Sequence, residues 1–234
     1  MSRRFVLAIA LVVSTTSVLA GGTDSLRHPE ERHLRNVRQL TFGGTNAEAY
    51  FSSDGKMLVF QSTRPPFSCD QIYSMSIDGS DQKLVSTGRG RTTCAYFLPD
   101  GKQILYGSTH LHNPVCPPSP DKSKGYVWGV FNDYDILIAN ADGSNPKPFA
   151  ASAGYDAEAT VSPKGDRIVF TSSRDGDLEL YTMNHDGSNV KRITHSLGYD
   201  GGAFFSWDSR QIVYRAYHPT TAEEIAEYKS LLAV

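Results

Sequence analysis

One sentence pattern recurs four times along this chain. It reads AYFSSDGKMLVFQS at residues 49–62, AYFLPDGKQILYGS at 95–108, ATVSPKGDRIVFTS at 159–172 and AFFSWDSRQIVYRA at 203–216. Each copy is a β-branched and aromatic run, a polar turn and a second such run. Asp-Gly supplies the positive φ angles that a tight hairpin turn needs. In three copies a second hairpin follows. IYSM leads through Asp78-Gly79 to KLV, ILI through Asp142-Gly143 to KPF, and LYTM through Asp186-Gly187 to KRIT. One unit is therefore four antiparallel strands. Gly55 and Gly101 lie 46 positions apart, and Gly165 and its counterpart Ser209 lie 44 apart. Gly101 and Gly165 are 64 apart, so the second unit carries an insertion. A period in the low forties with four strands per unit predicts an all-β propeller of four-stranded antiparallel blades.

The third unit carries the pattern most completely. It runs Ser162-Pro163-x-Gly165, Ile168-x-Phe170-x-Ser172, Tyr181-x-Met183, Asp186-Gly187-Ser188-Asn189 and Arg192-x-Thr194. These residues resemble the TolB-like (WD40-like, PD40) propeller repeat over roughly residues 37–217. The fourth unit departs from it, with Asp208-Ser209 where the family usually has Asp-Gly. The resemblance implies about six blades and a role in docking proteins. It speaks for fold more than for function. A true TolB also has an α/β domain before its propeller. Residues 21–36 are too short for one, so a Tol-Pal role is not expected.

The units lead to an incomplete propeller, about three and a half blades of an expected six. Blades are expected at 47–86, 93–149 (with an insertion at 110–133) and 157–194, with a half blade at 203–217. VRQLT at 37–41 is similar to VKRIT at 190–194 and is expected as an orphan outer strand. Residues 218–234 read as a helical insertion, opened by a Thr221–Glu224 capping box and followed by Ile225, Tyr228, Leu231 and Leu232 at helical spacing. The chain is expected to be truncated within it.

Residues 1–20 read as a signal peptide. Arg3 and Arg4 precede the apolar run FVLAIALVV, and a cut is expected after Ala20. The apolar run is too short to span a bilayer comfortably. Residues 21–36 are a short linker. The predicted location is periplasmic or secreted, with no membrane span after cleavage. Cleavage leaves 21 basic and 25 acidic residues, a mature charge of about −4. With no large basic block, nucleic acid is not an expected partner. A protein partner is.

The regular Asp-Gly turns all fall on one face of such a blade array. The variable connections, at 64–70, 86–93, 110–133 and 150–155, fall on the other, where function is expected. The innermost strands also begin there. Glu48, Asp156, Glu158 and Asp200 are the candidates at the channel mouth, for Ca²⁺ through oxygen ligands or for a cationic partner segment. Solvated acids lining a wet channel are the plainer alternative. No other cofactor is expected. Cys69, Cys94 and Cys116 map to the same face. An exported chain predicts one disulfide, Cys69–Cys94, with Cys94–Cys116 as the alternative. His110, His112 and Cys116 form a weak zinc set within a proline-rich insertion.

Gly-x-Ser-x-Gly, phosphate-cradling and His-Glu-x-x-His motifs are absent from the sequence. The reading is a non-catalytic binding or scaffold propeller. One alternative is the N-terminal propeller of a prolyl-oligopeptidase-like serine peptidase. Another is a propeller lyase or glycosidase.

Overall fold

The computed structural model describes residue 26 and residues 28–123, 125 and 127–232. The leader expected at 1–20 lies outside the described residues. The chain divides into two units, Met1–Leu40 and Thr41–Val234. In the first, the described residues hold turns rather than sheet. There the Glu31 carboxylate accepts from the backbone N–H of Leu34 at 3.1 Å. Residues 37–41, expected as an outer strand, belong to no sheet. The similar text of the third unit pairs within its own blade, with Arg192 opposite Tyr181.

The second unit is an all-β array. Its first blade comprises β1 (Thr45–Phe51), β2 (Met57–Thr63), β3 (Gln71–Ser76) and β4 (Lys83–Leu84). The second comprises β5 (Thr92–Phe97), β6 (Gln103–Ser108), β7 (Asp135–Asn140) and β8 (Lys147–Ala150). The third comprises β9 (Asp156–Val161), β10 (Arg167–Ser172), β11 (Glu179–Asn184) and β12 (Lys191–Arg192). A two-stranded half blade follows, β13 (Tyr199–Phe205) and β14 (Ile212–Tyr217), then the helix α1 (Ala222–Leu232). Each four-stranded sheet is ordered as in the sequence, and every pairing is antiparallel. The described strands therefore form an incomplete propeller.

The second and third strands of each complete blade are nearly continuous runs of buried residues. They have to be, because sheets stacked face to face bury both surfaces. Alternate residues of one strand serve two interfaces. Ile104 and Tyr106 pack with Val59 and Ile72 of the first blade. Leu105, between them, packs with Ile168 and Phe170 of the third. Val169 in turn packs with Ala203 of the half blade. Val59, Leu105 and Val169 are all fully buried, whereas their counterpart Val213 is 69% exposed.

The first turn of each unit takes a left-handed residue, with φ of +67° at Gly55, +68° at Gly101 and +73° at Gly165. Ser209 adopts +61° without being glycine. It is held by its neighbours: its hydroxyl accepts from the Lys164 backbone N–H at 3.3 Å, and its carbonyl accepts from Arg167. At the helix start, Thr221 Oγ1 accepts from the Glu224 N–H at 3.2 Å. Glu224 accepts in return from the Thr221 N–H at 3.0 Å, closing a reciprocal cap.

Candidate functional site

Every innermost strand breaks register once. The shift falls between Ala47 and Tyr50, between Thr93 and Tyr96, between Ala157 and Thr160, and between Gly201 and Phe204. At each break one residue is left-handed, with φ of +52° at Glu48, +47° at Cys94, +60° at Glu158 and +60° at Gly202. These are β-bulges, which leave one residue out of the ladder and re-aim its side chain. A left-handed conformation costs a non-glycine residue about 1–2 kcal/mol, so three of the four blades hold it against that cost.

Two residues beyond the bulge stand Tyr50, Tyr96, Thr160 and Phe204. The Tyr50 ring centroid lies 5.6 Å from Tyr96 and 5.5 Å from Phe204, and Tyr96 lies 6.2 Å from Phe204. This aromatic cluster lines a cavity of about 230 Å³ together with Glu48, Cys94, Glu158 and Tyr199. A neighbouring cavity of about 310 Å³ shares Glu48, Cys94, Glu158, Tyr199 and Arg215, and adds Trp128 and Val130 from the insertion.

The two carboxylates are held differently. One oxygen of Glu158 accepts from Thr171 Oγ1 at 2.6 Å and from the Gly202 N–H at 3.0 Å, and the Tyr199 hydroxyl lies 3.3 Å from both oxygens. Glu48 accepts from the Tyr50 hydroxyl. Burial and the glutamates push both phenols up, so they remain donors. Burial, then Glu158 and Glu48, push the Cys94 thiol well up. A thiol so placed stays protonated and is a poor nucleophile. Arg215 stands over the Tyr199 ring, 5.5 Å from its centroid. The cavity is thus suited to holding a polar or cationic group against aromatic walls.

Glu48 and Glu158 reach this cavity. Asp156 and Asp200 do not. Asp156 is fully buried, accepting from Arg174 at 2.8 Å and from Ser152 at 2.6 Å. Asp200, 1% exposed, lies 3.0 Å from His218. The bulge is the reason, because it breaks the period-two relation between residues on either side of it. The expected set of four oxygen donors is therefore not assembled.

The disulfide joins Cys69 to Cys116, with Cα atoms 5.9 Å apart, and Cys94 is free. Neither expected pairing forms. Cys94 sits on the bulge and lines the axial cavity, while Cys69 and Cys116 lie in the connections that lead into β3 and β7. The bridge does tie the first blade to the second and also pins the insertion. The weak zinc set dissolves for the same reason. Cys116 is bridged, His112 Nε2 lies 2.8 Å from Asp135, and His110 Nδ1 lies 2.8 Å from the Ser108 hydroxyl. Among the described residues no three His, Cys, Asp or Glu converge as metal ligands. Nor is any described helix long and apolar enough to cross a membrane.

A second arrangement braces the face. Arg64 and Arg174 reach back from the ends of β2 and β10. Arg64 donates to Ser62 at 2.9 Å and Asn46 at 2.7 Å, and Arg174 to Ser172 at 2.8 Å and Asp156. Each guanidinium lies 4.9 Å from a tyrosine centroid, Tyr73 or Tyr181. In the other units His110 and His218 occupy the same place.

No family model matches the chain. A protein named TolB homolog from Chlorobium luteolum is 27% identical over 149 residues, covering 54% of this chain and 34% of that protein. The solved structure of TolB from Acinetobacter baumannii superposes with a TM-score of 0.56 at 19% identity, covering 73% of this chain and 37% of that one. A structure assigned as TolB from Agrobacterium tumefaciens gives the same TM-score at 23% identity, covering 73% and 54%. The fold is that of a TolB-like β-propeller. The match spans about a third of the length of the curated relative. The repeat read in the sequence accounts for the blades, and the Ser-x-Arg braces emerge only in the structure. Trp128, Tyr199 and Arg215, which complete the cavity, escaped the sequence reading. Only the insertion length pointed towards Trp128.

Proposed function

We propose that this TolB-like propeller is an exported, non-catalytic docking protein that binds a protein segment on its axial face, in the periplasm of a bacterial envelope. One observation carries the reading. The bulge side chains, the axial cavities, the insertion and its disulfide converge on one face, while short Asp-turns occupy the other. Rigid blades carrying variable loops on a single face are a common scaffold for recognition. The disulfide supports an oxidising compartment. The protonated state of Cys94 favours binding over chemistry.

A photo-crosslinking amino acid at Ser119, in the insertion, compared with one at Ser53, on the turn face, tests the proposal. In envelope extracts the Ser119 probe is expected to give discrete protein adducts and the Ser53 probe none. Equal labelling from both faces, or labelling from Ser53 alone, overturns it. Fractionation of cells making residues 1–234 or 21–234 is expected to place only the former outside the cytoplasm.

A further inference from the structure

We infer that the axial cavity takes one basic side chain, a lysine or arginine presented by an extended peptide, and that Trp128 is the residue that selects it. This rests on the docking reading above and names the class of segment that enters.

The size of the cavity limits the ligand. At about 310 Å³ it lies at the lower end of ligand pockets, which span roughly 300–1,000 Å³. That is room for a single long side chain. The walls match such a chain along its length. Ala47, Val130 and Trp128 offer apolar surface for a methylene stem, and Glu48 and Glu158 offer carboxylates for its tip. Lysine and arginine are built in this way, with an apolar stem and a charged head.

Trp128 is the independent observation. Its neighbours Val130 and Phe131 pack against the buried Tyr134, Tyr155, Ala157 and Leu178. Trp128 itself remains 37% exposed at the edge of the cavity. It is nonetheless held in place. Phe131 lies under the Arg91 guanidinium at 5.8 Å, and Cys116 fixes the other limb of the insertion to Cys69. An indole fixed at a cavity rim yet left open to solvent fits an anchor for a bound partner. Its ring face attracts cations more strongly than any other aromatic side chain does.

The surroundings keep the charge balance in favour of a cation. Glu158 is steadied by Thr171 and the Gly202 N–H, and Glu48 by Tyr50. Among the described residues Arg215 is the one cation lining the cavity, and it stands over Tyr199, where a guanidinium already rests on an aromatic ring. Two carboxylates against one guanidinium leave the site a net anion.

The test uses fluorescein-labelled nine-residue Gly-Ser peptides with a central Arg, Lys, Leu or Glu, read by fluorescence anisotropy against the whole protein. The Arg and Lys peptides are expected to bind about tenfold or more tightly than the Leu and Glu peptides, and to weaken with salt. Trp128→Ala is expected to lose about tenfold for the Arg peptide and Trp128→Phe less. Glu48→Gln, at an exposed position, is expected to reduce the preference for Arg over Leu. Circular dichroism checks that each variant is folded. Equal binding of all four peptides, no binding of any at millimolar concentration, or indifference to both substitutions overturns the inference. If Ser119 crosslinks persist while peptide selectivity is absent, docking stands and the basic-side-chain reading falls. If both are absent, docking falls as well.

Discussion

The Glu158 carboxylate of the third blade accepts a hydrogen bond from the backbone N–H of Gly202, 3.0 Å away at the bulge of the next blade. The first two blades are joined in the same way, where Gln61 accepts from the Cys94 N–H at 3.0 Å. At Cys94 and Gly202 the bulge frees the N–H from the ladder, and the neighbouring blade supplies the acceptor. Glu158→Ala would strand both Gly202 and Thr171. Leaving a partly buried donor unpaired costs about 1–3 kcal/mol, so urea unfolding should show a loss in that range. Glu48→Ala should stay within about 0.5 kcal/mol, as is usual for surface changes.

The bulge backbone makes a separate prediction. Glu48→Gly should leave stability unchanged or raise it by up to about 1 kcal/mol, because glycine accepts positive φ freely. Glu48→Val should lower it by about 1 kcal/mol or more. Gly198→Ala should be worse, because at φ +138° its Cβ would meet the backbone carbonyl of Tyr217 and the backbone of His218. Thermal melts of the three variants would rank them.

The two arginine braces look alike and should not behave alike. Asp156 is a fully buried carboxylate, so Arg174→Met leaves an uncompensated charge and should cost about 3–5 kcal/mol. Asn46 is neutral and exposed, so Arg64→Met should cost nearer 1 kcal/mol. Similar losses for the two would contradict the burial argument.

The repeat, its strand order and its turns were legible in the text because Asp-Gly and β-branched runs report backbone geometry directly. The bulges were not. Glu48, Cys94, Glu158 and Gly202 share no chemistry, so no residue type marks the position. Disulfide pairing was hidden for a related reason: all three cysteines fall on one face, and only the aim of Cys94 towards the axis removes it from the choice.

Removing the Cys69–Cys116 bridge should be costly. It closes a sequence separation of 47 residues, worth about 4 kcal/mol in the chain-entropy model. Cys69→Ser is expected to approach that loss under oxidising conditions, with Cys94→Ser far milder. Alkylation of the denatured, unreduced protein should modify one thiol per chain, at Cys94.

Acid should weaken the fold. Asp54, Asp166 and Asp208, each bonded to a serine hydroxyl at its turn, are held below their ordinary value of 3.8, as are Asp142 and Asp186. A lowered carboxylate stabilises above its unfolded value, and that contribution is lost as pH falls through the folded one. Asp135, raised chiefly by burial, acts in the opposite sense, favouring the fold at low pH and losing that contribution as pH rises. Glu31, Asp121 and Glu224 are lowered as well, and eight groups against one among the described residues predict a declining melting temperature below about pH 4. Carboxyl NMR should show Asp186 moving up in Ser188→Ala.

The recurring bulge has a consequence for how such a surface changes over generations. Each blade sets one residue on the axis through a backbone irregularity that accepts different side chains. Glutamate, cysteine, glutamate and glycine stand there in one backbone state. At Glu48 that slot can be rewritten while the cores between the sheets stay as they are, whereas at Glu158 the same slot also carries a tie to the next blade.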